Sequence, residues 1–376
     1  MGAVGATGRA VLSARDVPEA MGGRIEGPRA DRVARSPRWR DGTFRNDPPI
    51  AEGPSGAMRD LLQRVAAGLP DRKPLGPLPL RTPPLTPSLG GDARDAGGSD
   101  GRGAGGIRVT WFGHASALVE VDGARLLVDP VWSERVSPSQ ELGPKRLHPA
   151  PIALDRLPPL DAVVVSHDHY DHLDMLTVRT LAATRPETAF VVPLGVGAHL
   201  ERWGVPAGRI IELDWDEEHE VADGVRLVAA PAQHFSGRGF GRDRTLWASW
   251  VIAGPRHRAY YTGDSGYFAG YAAIGADHGP FDVTLVQIGA YDRAWPGIHM
   301  TPEEGVAAHL DVGGGLLVPV HWGTFVLAMH PWAEPIDRLL AEAAVSGAAV
   351  AVPRPGELVD VSAPLAPDGW WSALAP

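Results

Sequence analysis

From residue 107 to residue 321 short apolar runs alternate with turn-forming residues, a pattern that reads as a series of strands. IRVTWFG (107–113), ASALVEV (115–121) and ARLLVDP (124–130) come first, close enough to pair as hairpins. DAVVVSH (161–167), AFVVPL (189–194), GVRLVAAP (224–231), LWASWVIAG (246–254), RAYYTGD (258–264), VTLVQIG (283–289) and GLLVPVH (315–321) follow. Helical signals enter only among the later strands. LDMLTVRTLAAT (173–184) is one; PEEGVAAHL (302–310) is another, with Thr301 as N-cap and Glu304 completing a capping box. Hairpins followed by strands alternating with helices predict an α/β chain whose sheets are covered by helices on their outer faces.

Upstream of residue 107 this pattern is lost. PLGPLPLRTPPLTP (74–87) and GGDARDAGGSDGRGAGG (90–106) sustain neither helix nor ladder, and the second has the composition of a flexible linker. The sequence therefore divides into a Pro/Gly/Arg-rich N-terminal extension and linker over residues 1–105, partly disordered, and a domain over residues 106–376 that carries the candidate chemistry. One segment of the extension has helical spacing: in AMRDLLQRVAAG (57–68), Met58, Leu61, Leu62 and Val65 share a face. That face predicts a helix packed on the body; a membrane-surface helix with Arg59 and Arg64 on its polar side is the alternative.

The 376 residues can bury a large core without a partner chain. A formal net charge of −10 argues against a protein that grips nucleic-acid phosphates, and favours a lipid, sugar or small-molecule partner. The first 105 residues carry 16 basic and 12 acidic side chains, which leaves 19 and 33 for the rest and makes the larger part acidic. With no cysteine, any metal must be held by nitrogen and oxygen. The opening MGAVGATGRAVLSARD has no continuous apolar stretch, and no run approaches the ~18 apolar residues of a membrane span. These features predict a cytoplasmic protein, soluble or peripheral to a membrane.

All 14 histidines follow residue 113, and the densest group is SHDHYDHLD (166–174), directly after an apolar run. His167, His169, Asp171 and His172 form H-x-H-x-D-H at a strand end, where His167 and His169 point the same way and the turn aims Asp171 and His172 at a neighbouring point. Three further candidates stand where later runs end: His234 in AAPAQHFS, Asp264 in YYTGDSGY and His321 in LLVPVHWGTF. Any one alone fits a capping or core residue. Together they offer seven N/O ligands, enough for two zinc ions with an aspartate between them; manganese or iron suits the same donors. Asp168 and Asp174 lie off the ligand pattern and are expected to orient neighbours or the following helix. His199, His219, His257, His278, His309 and His330 match no metal position and read as ordinary.

H-x-H-x-D-H followed by a lone His, an Asp in a TGD turn and a final His resembles the metal signature of the metallo-β-lactamase superfamily. More narrowly, WFGHASALVEVDGARLLVDPVWSERVSPSQELGPKRL, LPPLDAVVVSHDHYDHLD, PAQHFSGRG, TGDSGY, IGAYDRAW, HMTPEEGVAAHLD and VHWGTF look like the N-acylphosphatidylethanolamine-hydrolysing phospholipase D branch, with a fainter echo at SPRWRDGTFRN (36–46). The resemblance implies an αββα sandwich of two mixed β-sheets flanked by helices. It implies one zinc on His167, His169 and His234, a second on Asp171, His172 and His321, and Asp264 as the bridge. Asp129 in LLVDP would support the metal site from behind, His114 in FGHAS likewise or as a structural residue, and His299 would line the substrate pocket, with an exposed or capping histidine as the alternative; Gln287 and Tyr291 are candidates to line the pocket, and Lys145 and Arg146 in GPKR to meet a phosphate or cover the surface. Tyr170 belongs to the narrower form of the motif, and the resemblance also implies a homodimer.

The expected reaction is hydrolysis of a glycerophospholipid-type phosphodiester, N-acylphosphatidylethanolamine giving N-acylethanolamine and phosphatidic acid, by a metal-bridging hydroxide available near neutral pH. Asp171 or a water would then protonate the leaving group. Such a substrate predicts apolar surface near the site and peripheral membrane contact. A lactonase or sugar-phosphate hydrolase on the same fold and a non-catalytic metal-binding protein are the competing readings; a nuclease is disfavoured by the acidic body.

Overall fold

The computed structural model describes residues 17–50, 53–68, 71–84, 106–222, 224–239 and 241–375. The first hairpins form as the sequence indicates. β3 (Ile107–Gly113) pairs antiparallel with β4 (Ser116–Val121), which pairs with β5 (Ala124–Val128) through the two-residue turn Asp122–Gly123, where both residues have positive φ. Such a turn matches the twist of its strands, and Asp-Gly is its favoured sequence. β6 (Ala162–Val164), β7 (Ala189–Pro193) and β8 (Ile210–Leu213) then add in parallel, and β16 (Leu358–Asp360) closes the far edge, in the order β16-β3-β4-β5-β6-β7-β8.

The second sheet also has seven strands. β9 (Glu218–Ala222), β10 (Val225–Ala230), β11 (Ser249–Ala253) and β12 (Arg258–Tyr261) form an antiparallel half; β13 (Phe281–Gln287), β14 (Gly314–Val320) and β15 (Ala349–Val350) continue from β12 in parallel. Both sheets are mixed, as expected. Period-two alternation decides which side faces which layer. Leu126, Val128, Ala162, Val164 and Val191 enter the core between the sheets, whereas Leu127, Val163, Phe190 and Val192 lie in an outer core with Val178 and Leu181 of α4 (Met175–Thr184) and Leu200 of α5 (Gly197–Arg202). On the other side α6 (Gly270–His278), α7 (Pro302–Asp311) and α8 (Glu334–Ser346) cover the second sheet, α7 against β13 and β14 and α8 against α7 and β15. The Thr301–Glu304 capping box that starts α7 is present. Among the described residues no helix is long and apolar enough to cross a membrane.

Described parts of the N-terminal region pack against the larger domain. α1 (Val17–Ala20), α2 (Gly27–Ala34) and the hairpin of β1 (Trp39–Arg40) and β2 (Thr43–Phe44) lie on the body. Ala20, Val33, Phe44 and Leu78 are buried in its cores, Arg29 pairs with Glu201 and Glu212, and Phe44 N donates to Asp243 O. These anchors are single residues without a period, so pattern analysis passes over them. The linker stretch 90–106 lies outside the described residues except for Gly106. The helix expected at 57–68 forms as α3 (Ala57–Ala67), but of its apolar face only Leu61 is buried; Met58, Leu62 and Val65 stay exposed. Ion pairs hold it instead, from Arg64 to Asp292 and from Arg293 to Asp60.

Phe44→Ala tests whether this region belongs to the body. Removing a buried aromatic side chain costs about 3–5 kcal/mol, so the urea midpoint of the whole protein should fall with the slope unchanged. An unchanged midpoint would mean that the region is energetically separate.

Candidate metal centre

The strand ends bring the site together. After β6 the backbone turns at Ser166, whose N–H donates to Asp129 Oδ1 at 2.7 Å and whose hydroxyl donates to Asp129 Oδ2 at 2.5 Å. His172 N and Leu173 N both donate to His169 O, which curls SHDHYDHLD into a turn. Asp174 caps α4 by accepting from Leu176 N, and also takes Ser133 N and Oγ; it orients the helix, as expected. Asp168 lies opposite His199 at 3.3 Å and accepts from Gly237 N at 2.7 Å, so it fixes the loop after His234. The Tyr170 hydroxyl donates to Arg238 O in the same loop.

Two sets of donor atoms result. His167 Nε2 lies 2.8 Å from His169 Nδ1, which is 3.3 Å from His234 Nε2. Asp171 Oδ2 lies 3.3 Å from His321 Nε2 and 3.5 Å from His172 Nε2. Asp264 Oδ2 stands between the sets, 3.1 Å from His172 and His321 Nε2, 3.8 Å from His234 and 3.9 Å from His167. This geometry brings together all seven ligand candidates, with Asp264 in the shared position. His172 Nε2, His321 Nε2 and Asp264 Oδ1 are buried without a hydrogen-bond partner. Buried polar atoms left in that state are costly, and a cation contacted by these nitrogens and oxygens satisfies them; the donor set fits metal.

Electrostatics agree. Burial pushes the Asp264 carboxyl up, but His172, His321 and His299 outweigh it and hold the group well below the ordinary carboxylate range. Asp171 behaves likewise, with His172 the main counterweight to burial. Burial and neighbouring imidazoles, His172 first among them, hold His167 far down and neutral. Burial also lowers His321, yet Asp264 and Asp171 reverse this and push it up to about 9. Without a cation the two carboxylates draw protons onto the imidazoles, so metal binding must displace protons.

A second layer aims the ligands. Asp129 Oδ2 lies 2.6 Å from His172 Nδ1 and also accepts from the Ser166 and Tyr261 hydroxyls. His114 Nε2 lies 2.9 Å from Asp171 Oδ2, so the supporting role expected for both residues matches their position. Burial and then His321 pull His114 down to about 3, leaving it neutral. His114, Asp129 and His321 all have positive φ, which is uncommon for such residues and costs on the order of 1–3 kcal/mol each. The His321 turn is packed so closely that a Cβ on Gly289 would stand 2.1 Å from His321 O.

Pattern reading missed Asn46. Its Nδ2 donates to His234 O at 2.7 Å and its Oδ1 accepts from His234 N at 3.0 Å, so a residue of the N-terminal region clamps the backbone of a ligand. Its only signal was the faint echo at SPRWRDGTFRN. Tyr261, Ser166 and His148, which lies 3.0 Å from the Thr324 hydroxyl that accepts from His114 N, also had no ligand-type spacing.

Two of the substrate-contact candidates are elsewhere. Lys145 is exposed and pairs with Glu134 at 2.8 Å, because its neighbour Arg146 turns inward to the carbonyls of Val131 and His148. Gln287 is fully buried, donates to Gly289 O and accepts from Met300 N, so it staples two loops. His299 does reach the site, with Nδ1 3.9 Å from Asp264 Oδ2. Tyr291 bonds Glu334 and stacks on His330; all three, with His299, line a cavity of about 440 Å³ beside the centre. The centre itself opens into a mouth of about 400 Å³, with His169, Asp171, Asp264, His299 and His321 on its polar side and Val136, Tyr170, Phe235, Trp295, Ile298 and Leu327 around them.

Comparison with known proteins agrees with this geometry. Residues 124–322 match the family described as Beta-lactamase superfamily domain. A Mycobacterium tuberculosis (strain H37Rv) protein described as uncharacterized is 52% identical over 341 residues, 89% of this chain and 87% of its own. The N-acyl-phosphatidylethanolamine-hydrolyzing phospholipase D 1 of Caenorhabditis elegans is 38% identical over 245 residues, 62% of this chain and 69% of the nematode protein. A metallo hydrolase of the archaeon Ignicoccus hospitalis shares the fold at a TM-score of 0.52 and 23% identity, over 67% of this chain and 97% of that one. The chain belongs to the metallo-β-lactamase superfamily and is a metal-dependent hydrolase of that fold. Within the superfamily it falls in the branch of the N-acylphosphatidylethanolamine-hydrolysing phospholipases D.

Asp129→Asn places an amide NH2 or a weaker acceptor against the three donors that Oδ2 now takes. Loss of such outer partners typically costs 10- to 100-fold in metal affinity. Competition with a graded series of chelators should show a loss of about that size; retention equal to wild type would remove Asp129 from the metal site.

Proposed function

We propose that the protein hydrolyses the phosphodiester of a glycerophospholipid, in the phospholipase D sense, with N-acylphosphatidylethanolamine as the model substrate. The observation that carries this reading is the mouth: a floor of metal-ligand side chains within walls of Phe235, Trp295, Ile298, Val136 and Leu327, a polar reaction point reached through apolar surroundings. Acyl chains suit such walls. The activity in the nematode relative's name supports the same substrate class.

His167, His169 and His234 would hold one zinc, Asp171, His172 and His321 the other, with Asp264 shared. When bound, the metals supply Lewis acidity that lowers the pKa of water and neutralises charge building on the phosphoryl group. Of the two carboxylates that line the mouth, Asp171 is the more exposed, 15% against 2% for Asp264, and it is held ionised there. With Oδ2 committed to the donor set, its second oxygen would take the proton of the attacking water and return it to the departing alcohol oxygen as the phosphorus–oxygen bond breaks. His114, 2.9 Å from Oδ2, keeps the carboxylate oriented. Burial holds His299 down at about 4, so it acts as a neutral hydrogen-bonding group on the substrate rather than as an acid. Water oxygen ends on phosphatidic acid, and N-acylethanolamine leaves.

The zinc-loaded protein should release N-acylethanolamine from mixed micelles and leave lactones intact. Asp171→Asn should lower kcat by roughly 10²- to 10⁴-fold with a smaller change in KM. Cleavage of a lactone or a water-soluble phosphodiester with no N-acylethanolamine released would defeat the lipid assignment.

A further inference from the structure

A metal-ligating histidine normally donates its second ring N–H to an acceptor, which fixes the tautomer and strengthens the ligand. His172 has Asp129 for this, His234 has Ile298 O at 3.0 Å, and His167 has the Ser166 hydroxyl at 2.9 Å. His321 differs: its Nδ1 is buried with no partner. Behind it lies a cavity of about 20 Å³, enough for one water-sized occupant. The same cavity is lined by Arg72 and Trp332, and Arg72 Nε and Trp332 Nε1 are also buried without a partner.

The lining is one-sided. Three unpartnered N–H donors belong to it, one of them part of a guanidinium, while its other side chains include no carboxylate, amide or hydroxyl. Its one further side-chain acceptor, His330 Nε2, is taken by Ala290 N at 3.0 Å. Ala328 O is taken by Arg72 Nη2 at 2.7 Å and Ala290 O by the Trp295 indole at 3.0 Å. A water would have to direct its own two hydrogens somewhere, and the side chains offer it nothing. A monatomic anion would be an acceptor for such donors, balance the arginine and fit the volume; a phosphate or carboxylate is too large.

We propose that Arg72, His321 and Trp332 form a halide site, filled by chloride, that serves His321 as Asp129 serves His172. The inference rests on His321 being a metal ligand, and not on the substrate. An anion against Nδ1–H keeps the proton on that nitrogen and leaves Nε2 free for the metal, so retention of one metal equivalent becomes halide-dependent.

Crystals of the zinc-loaded protein grown in bromide should show an anomalous peak within contact distance of Arg72 Nε, His321 Nδ1 and Trp332 Nε1. In solution, replacing gluconate by chloride at equal ionic strength should slow loss of one of the two zinc equivalents to a chelator by about tenfold. Arg72→Gln should lose both effects while keeping the gluconate rate. Trp332→Phe, which keeps most of the volume, should weaken bromide occupancy and guards against a folding defect in the first variant. A water without anomalous signal, or equal halide dependence in wild type and both variants, overturns the site. Neither readout uses turnover, so failure here is distinct from failure of the phosphodiester reading.

Discussion

One carboxylate oxygen sets the terms for the rest of the molecule. Asp264 Oδ2, buried just beyond the end of β12, lies within 4 Å of imidazole nitrogens from both donor sets. A buried anion of this kind must be met by positive charge, and the surrounding imidazoles remain neutral only if a cation meets it instead of protons. Two packed sheets are what hold those imidazoles there: β6, β10 and β14 end at the same rim as β12, and each delivers a histidine just beyond its last residue.

Holding them costs stability that the core must supply. His114, Asp129 and His321 sit in left-handed backbone, and His321 N donates to His114 O so that two strained turns brace each other. Asp129, with no exposed surface, gathers four donors from beyond the end of β6 and from the end of β12. The N-terminal region adds the Asn46 clamp on the His234 backbone, which ties the site to a residue far away in sequence.

What could be read from the sequence follows from how each residue acts. All seven ligand candidates were legible because each stands at or after the end of an apolar run, and its side chain does the work. The buried strands were equally plain. The edge strands β8, β9, β15 and β16 were not, since they are short and partly exposed, and β9 alternates charged residues as edges commonly do. Asn46 acts on a backbone 188 positions away and leaves no local pattern. Gln287 and Lys145 were misplaced for a related reason: a resemblance carries the residue type, while the direction of the side chain depends on packing that one sequence does not reveal. The face of α3 misled because helical spacing states which residues align and not whether a partner covers them.

The central claim is that two metal ions share Asp264, and metal stoichiometry tests it most directly. Elemental analysis of purified protein after equilibration with zinc should give two equivalents per chain, and Asp264→Asn, which keeps the shape but removes the shared anion, should lower this to one or fewer. A single equivalent in the wild type, or two retained in the variant, would contradict a shared binuclear centre.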